Sequence, residues 1–369
     1  MLRDSLPWII VGVVVLALIT GGVVLARARA NPMSALNLRR RRPGRDHFRH
    51  GDVAEAPPKH AAIIVNPIKV ADLAMIKERI TSSCHARGWG DPLFLETTVA
   101  DPGRGQAQEA IRSGAEVVCS LGGDGTVRSV ASGLIGTGMP LGILPAGTGN
   151  LLARNLDLPV VDFDKAIAVA LTGRNRRIDT GELLIGETDE DGDAIDGGEL
   201  TRHQFLVMGG IGMDALIMGD TNDALKKTVG WPAYLLSGAR HLVSPEFRVQ
   251  IRTDTEAPFR RRARAVVIGN CGKLLGGLVL MPDARVDDRQ LDVLIASPRG
   301  FVGWAPVFAR MITRRRKGHP TLDHKVCREI RVRADRPLPV QVDGDVIGES
   351  TEVNAAVHPA SLTVRVSQA

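Results

Sequence analysis

Aromatic residues are scarce, at 4% of 369 residues with one tyrosine. Cysteine is sparser still: Cys84, Cys119, Cys271 and Cys327 are scattered, with no CxxC pair. That pattern excludes a disulfide framework and suits reduced thiols in a cytosolic domain. No HExxH and no Cys/His cluster points to zinc, and His319 and His324, five apart in a predicted loop, read as solvated. The net charge is +6, yet the arginines are not interleaved with stacking aromatics, so no nucleic-acid partner is expected. The length predicts two globular units.

Residues 8–26 form an uninterrupted run of apolar, Gly and Thr residues, close to the roughly 20 that span a bilayer as a helix. Arg27, Arg29 and Arg39 to Arg42 follow it, which by the positive-inside rule sets the C-terminal side in the cytoplasm. A cleaved signal peptide is the competing reading, but signal peptides carry their positive charge before the apolar core. Residues 27–60, with four prolines and the arginine cluster, read as a linker able to meet an anionic lipid surface.

Two glycine-rich loops organise the rest, Gly122-Gly123-Asp124-Gly125-Thr126 and Pro145-Ala146-Gly147-Thr148-Gly149-Asn150. Each follows an apolar run (residues 117–121 and 140–144) and precedes a predicted helix (residues 127–134 and 151–155). Strand, glycine turn and helix together present backbone N–H groups to a phosphate. Asp124 among those donors would repel a phosphate unless a cation lies between, which implies Mg²⁺. Upstream, residues 61–65 read as a buried strand ending at Asn66-Pro67, followed by a helix over 70–87, a strand over 93–97 and a helix over 105–113. This order predicts an α/β open mostly parallel sheet over 61–175, with ligands beyond the carboxyl ends of its strands. Either loop alone reads equally as a tight turn; two at adjacent strand ends favour nucleotide binding.

From about Arg177 the texture becomes short strands with polar turns, predicting a β-sandwich-like second domain over 176–369. Strands are expected at 177–185, 203–208, 247–252, 262–268, 278–281 and 291–296, and helices at 224–243 and 301–313. The acidic segment 187–199 lacks the Gly and final Glu of a calcium loop and reads as an exposed hairpin loop. Gly209 to Ala215 repeats the strand–glycine–helix pattern, with Asp214 either a functional group or a helix N-cap. Near the C-terminus an alternating strand reaches Asp343-Gly344-Asp345, which taken alone reads as a hairpin turn.

GGDGT followed by PAGTGN, with Asn66-Pro67 upstream, resembles the diacylglycerol-kinase catalytic domain, and in particular the soluble-type bacterial lipid kinases related to sphingosine kinases. The resemblance runs from about Ala61 to the C-terminus. It implies ATP and Mg²⁺ as cofactors, and a nucleotide cleft lined by Asn66, Gly122, Gly123, Asp124, Gly125, Thr126, Gly147, Thr148, Gly149 and Asn150. It further implies metal contact by Asp124, directly or through water, a domain-mouth motif at Gly212 and Asp214, and a structural Mg²⁺ at Asp288. Asp343 takes the place of the general base, and Asp345 that of a second carboxylate, where the family has Glu. Leu151 stands where many members have Asp, and Ile68-Lys69 where many carry extra Gly and Lys. The implied activity is ATP-dependent phosphorylation of a membrane lipid hydroxyl, foremost diacylglycerol to phosphatidic acid. A long-chain-base kinase, an NAD kinase and a membrane-tethered nucleotide-binding regulator without turnover are the rivals. The expected location is the bacterial cell membrane, single-pass, with the catalytic domains on the cytoplasmic side. Assembly is left open, a homodimer among the allowed states.

Overall fold

The computed structural model describes residues 59–186, 200–212, 245–275, 278–298, 307, 311 and 322–368. It opens with β1 (Ala61–Val65), every residue of which is buried. One 3-10 turn, Pro67–Lys69, leads to α1 (Leu73–His85), whose first turn is capped by the Asp72 carboxylate accepting from the Met75 amide. Next come β2 (Leu93–Glu96), α2 (Arg104–Arg112), β3 (Val117–Gly122), α3 (Asp124–Leu134), β4 (Pro140–Pro145), α4 (Leu151–Asn155) and α5 (Phe163–Thr172). The strands run parallel in the order β2, β1, β3, β4. β1, β3 and β4 carry apolar runs because both faces are covered, while β2 at the sheet's end is half-buried and closes on exposed Glu96. Ile64 and Val118 point into one core cluster, while Ile63 and Val117 point into another on the opposite face.

The remaining strands are β5 (Arg174–Ile185), β6 (Thr201–Phe205), β7 (Met208–Ile211), β8 (Phe247–Thr253), β9 (Phe259–Ala263), β10 (Ala265–Gly269), β11 (Leu291–Ala296), β12 (Leu322–Cys327), β13 (Glu329–Val342) and β14 (Asp345–Val366). Among the described residues they pair antiparallel with one another. One junction differs: Thr363 and Val364 of β14 lie parallel to Pro140 and Leu141 of β4. The sheet therefore runs without a break through β12-β11-β10-β7-β13-β14-β4-β3-β1-β2. A single apolar cluster follows it, joining Ile64 and Leu152 to Met208, Val267 and Leu294. Each such fully buried side chain contributes about 1.5–3 kcal/mol.

Some expectations change, and one element is added. Residues 278–281 form no strand; the Leu280 amide goes to the Gly272 carbonyl and that of Val279 to Met311, leaving one isolated bridge, Lys273 to Val279. His324 lies on β12 rather than in a loop, because its Nε2 meets the buried Asp292 carboxylate at 2.7 Å across the β11–β12 pair. α5 is an addition, with Asp162 capping the Lys165 amide and Ala166, Ile167, Ala170 and Leu171 forming its buried stripe. No helix among the described residues is long and apolar enough to cross a membrane. The expected span over 8–26 and helix over 224–243 lie outside those residues, as do Asp214, His319 and the segment 187–199.

Candidate active site

At the carboxyl ends of β1, β3 and β4 three loops converge. The Asn66 side chain donates from Nδ2 to Thr126 Oγ1 at 3.2 Å, while its Oδ1 accepts from the Ile68 amide at 3.1 Å. That ties the Asn-Pro turn to the first glycine loop. The two glycine loops then touch backbone to backbone. The Ala146 amide donates to the Gly122 carbonyl at 3.0 Å, and a Cβ added at Gly147 would stand 2.7 Å from Gly123 Cα. Only glycine permits that approach at 147. Thr148 is exposed at the tip, and Asn150 shapes the loop from within. Its backbone is left-handed (φ 49°), and its amide side chain donates to the Gly147 carbonyl at 2.7 Å and accepts from the Gly147 N–H at 3.3 Å. Asparagine tolerates that conformation better than most residues.

α3 begins at Asp124, earlier than expected, so its carboxylate sits in the first turn. Asp124 Oδ1 accepts from the Leu151 amide at 2.6 Å, at the start of α4. A Cβ at Gly149 would collide with Oδ2, so glycine there leaves the carboxylate its space. Burial pushes the Asp124 carboxyl up, against amides of Leu151 and Asn150 that favour its charge; nearby Asp345 adds repulsion. Two carboxylates close enough to repel one another would suit a hard divalent cation bound to phosphate oxygens.

The C-terminal motif enters from the other half. Asp343 and Gly344 join β13 to β14, and positive φ at both (48° and 94°) gives the two-residue hairpin loop its required handedness. The Asp343 carboxylate is buried and accepts three backbone hydrogen bonds: Leu206 N–H at 3.0 Å on Oδ2, with Val207 (2.8 Å) and Met208 (3.0 Å) on Oδ1. Its own amide donates to the Met208 carbonyl at 2.7 Å. Burial pushes its carboxyl up, and the Arg128 charge and the three amides work the other way. Asp345 differs. It is 57% exposed, and its Oδ2 lies 3.4 Å from where a Cβ on Gly125 would stand.

Arg128, one turn into α3, holds these pieces together. It donates to the Val342 carbonyl at 2.7 Å and to Asp345 Oδ2 at 2.6 Å. No local signal marks it, since the partners are 214 and 217 residues away. It ties the helix that begins at Asp124 to the Asp343–Asp345 turn. Replacing Arg128 by alanine is expected to lower kcat by about tenfold to a hundredfold with a smaller change in ATP KM, because a carboxylate displaced by about 1 Å loses alignment. Arg128→Lys should recover only part, since one ammonium cannot serve both acceptors as the guanidinium fork does. Steady-state kinetics beside a thermal melt would check this.

Two further expected residues make other contacts. Gly212 (φ 72°) ends β7 with its amide on the Pro339 carbonyl, and the Phe247 ring occupies the space of any side chain there. Asp288 lies in the loop before β11, its Oδ1 accepting from the Gln290 amide at 3.1 Å, and burial pushes its carboxyl up. Among the described residues no group of three or more His, Cys, Asp or Glu is placed to hold a metal.

Residues 60–183 match the sequence model of the diacylglycerol kinase catalytic domain, and residues 208–366 that of the YegS C-terminal NAD kinase beta sandwich-like domain. The "Probable lipid kinase YegS-like" protein of Pseudomonas aeruginosa is 34% identical over 199 residues, 53% of this chain and 60% of that relative's length. The diacylglycerol kinase of Staphylococcus saprophyticus is 25% identical over 297 residues, 79% of this chain and 90% of that protein. In fold, a diacylglycerol kinase from Bacillus anthracis superposes with a TM-score of 0.61 at 19% identity, covering 85% of this chain and 98% of its own. The two glycine loops thus fall in the first matched region and the hairpin turn in the second, and the chain belongs to the diacylglycerol kinase-like lipid kinases.

Proposed function

We propose that the protein transfers the γ-phosphoryl group of ATP to a lipid hydroxyl, with diacylglycerol as acceptor and phosphatidic acid as product. The observation that carries this is the joining of the Asp124 loop to the Asp343–Asp345 turn through Arg128. Phosphoryl transfer asks of a protein chiefly positioning and charge neutralisation. The amides around Gly123 and Gly147 would receive the phosphates. Asp124 and Asp345 would hold Mg²⁺, which when bound screens the phosphate charge. The acceptor's proton has two candidate destinations. Asp343 takes that place by resemblance, while Asp345 is the carboxylate open to the crevice. Residues 8–26 would tether the catalytic part to the cytoplasmic face of the membrane, raising the concentration of a bilayer substrate at the cleft.

The test is an acceptor screen in mixed micelles with labelled ATP and Mg²⁺, offering diacylglycerol beside long-chain bases. Labelled phosphatidic acid is the expected product. A phosphorylated long-chain base would move the acceptor class, and nucleotide binding without any lipid product would leave the regulatory reading. Comparing Asp343→Asn with Asp345→Asn assigns the proton: the base should lose at least about a hundredfold in kcat while the fold survives.

A further inference from the structure

On the outer face of β8, β9 and β13 the register builds a lattice of arginines. Arg262 faces Arg248, Arg260 faces Gln250 and then Arg333, and Arg252 faces Arg331. On the β14 side Glu352 lies fully buried beneath Arg331 (2.9 Å) and Arg333 (2.6 Å), which fixes that edge of the lattice. The guanidinium groups of Arg248, Arg252, Arg260 and Arg262 are exposed and have no hydrogen-bond or carboxylate partner among the described residues. Some surface cations elsewhere are paired, as in Arg79–Asp164, Arg176–Asp287 and Lys325–Glu256, and others such as Arg104, Arg112 and Arg285 are not, among the described residues; on this face the arginines stand in register opposite one another. Like charges set directly opposite across strands destabilise a sheet. Protecting β9 as an edge strand would need a charge, but not two opposed arginine pairs.

We propose that this face is a docking surface for an anionic lipid bilayer, a choice of partner that rests on the lipid-acceptor reading above. Guanidinium forks match phosphate oxygens in pairs, and a face of three strands can meet several headgroups at once. A nucleic acid would need stacking surfaces among the cations. The aromatics on these strands, Phe247 and Phe259, lie in the rows of Ala263 and Ile251 and pack in or against the core.

The experiment uses the full chain carrying Gln250→Cys with an environment-sensitive fluorophore; the native cysteines described, Cys84, Cys119, Cys271 and Cys327, are all buried. Vesicles of phosphatidylcholine, with or without phosphatidylglycerol, carry a headgroup-linked quencher, so the readout is proximity of this face rather than attachment of the chain. Strong quenching is expected only with phosphatidylglycerol, and high salt should abolish it. Arg248→Glu with Arg262→Glu should raise the phosphatidylglycerol fraction needed, or weaken the signal, at least about tenfold. Arg248→Gln with Arg262→Gln should fall between, guarding against a folding artefact. Equal quenching in both vesicles, none in either, or displacement of the signal by single-stranded RNA in preference to vesicles would overturn the proposal. Lipid phosphorylation measured on the same preparation separates the two ideas: turnover without quenching removes this face alone, and quenching without turnover removes the kinase reading alone.

Discussion

Replacing Asp343 by alanine should destabilise the protein by about 3–5 kcal/mol, as removal of a buried charged hub does. The Leu206, Val207 and Met208 amides would lose their acceptor together, each buried donor costing about 1–3 kcal/mol but not additively. Alanine is also poorly suited to a φ of 48°, which adds about 1 kcal/mol. Asp343→Asn keeps one carbonyl oxygen and tolerates the left-handed backbone, so about half the loss is expected. Urea unfolding of both variants against wild type would check the order. A loss smaller than about 1 kcal/mol for alanine would show that the three amides do not depend on this carboxylate. The same geometry governs how activity is read. A dead Asp343→Asn enzyme reports on proton transfer only if kcat is taken per folded molecule, since the substitution also loosens the turn that presents Asp345.

Gly147→Ala should weaken ATP binding by about a hundredfold or more, through the loops rather than through any contact with the nucleotide. Its Cβ would meet Gly123 Cα at 2.7 Å, backbone against backbone, so the loops must separate. Such overpacking costs about 1–3 kcal/mol of stability and spoils the alignment of amides on which anion binding depends. Gly123→Ala is the informative contrast. Its Cβ would lie 3.6 Å from Gly147 Cα, an ordinary contact. Any affinity lost there reports what enters the crevice, with stability near wild type. Calorimetric ATP titration with parallel unfolding curves distinguishes the pair; equal destabilisation by both would contradict the asymmetry.

The parts legible in the residues alone were the local ones. Apolar runs before glycine turns marked β3 and β4, and their buried residues confirm why: strands covered on both faces carry no polar alternation. The Asp-Gly pair marked a hairpin, and it is one. What escaped was set by distant neighbours. Arg128 on a helix has the look of a solvated charge until β13 arrives beside it. Asp343 has the look of a free carboxylate until the β6–β7 connection turns its amides inward. His324 needed Asp292 on the adjoining strand, and α5 was missed although Asp162 and the spacing of Ala166, Ile167, Ala170 and Leu171 carried its signature.

β14 has a bearing on how the molecule is made. Its parallel contact with β4 means the first half's sheet lacks a neighbour until residues 363 and 364 have left the ribosome. The nascent glycine loops therefore wait, with one strand edge open, while the whole second half is translated. Contacts so remote in sequence slow folding and prolong exposure of unpaired edges. A late stop codon that removed the end of β14 would leave that edge of β4 uncovered for good.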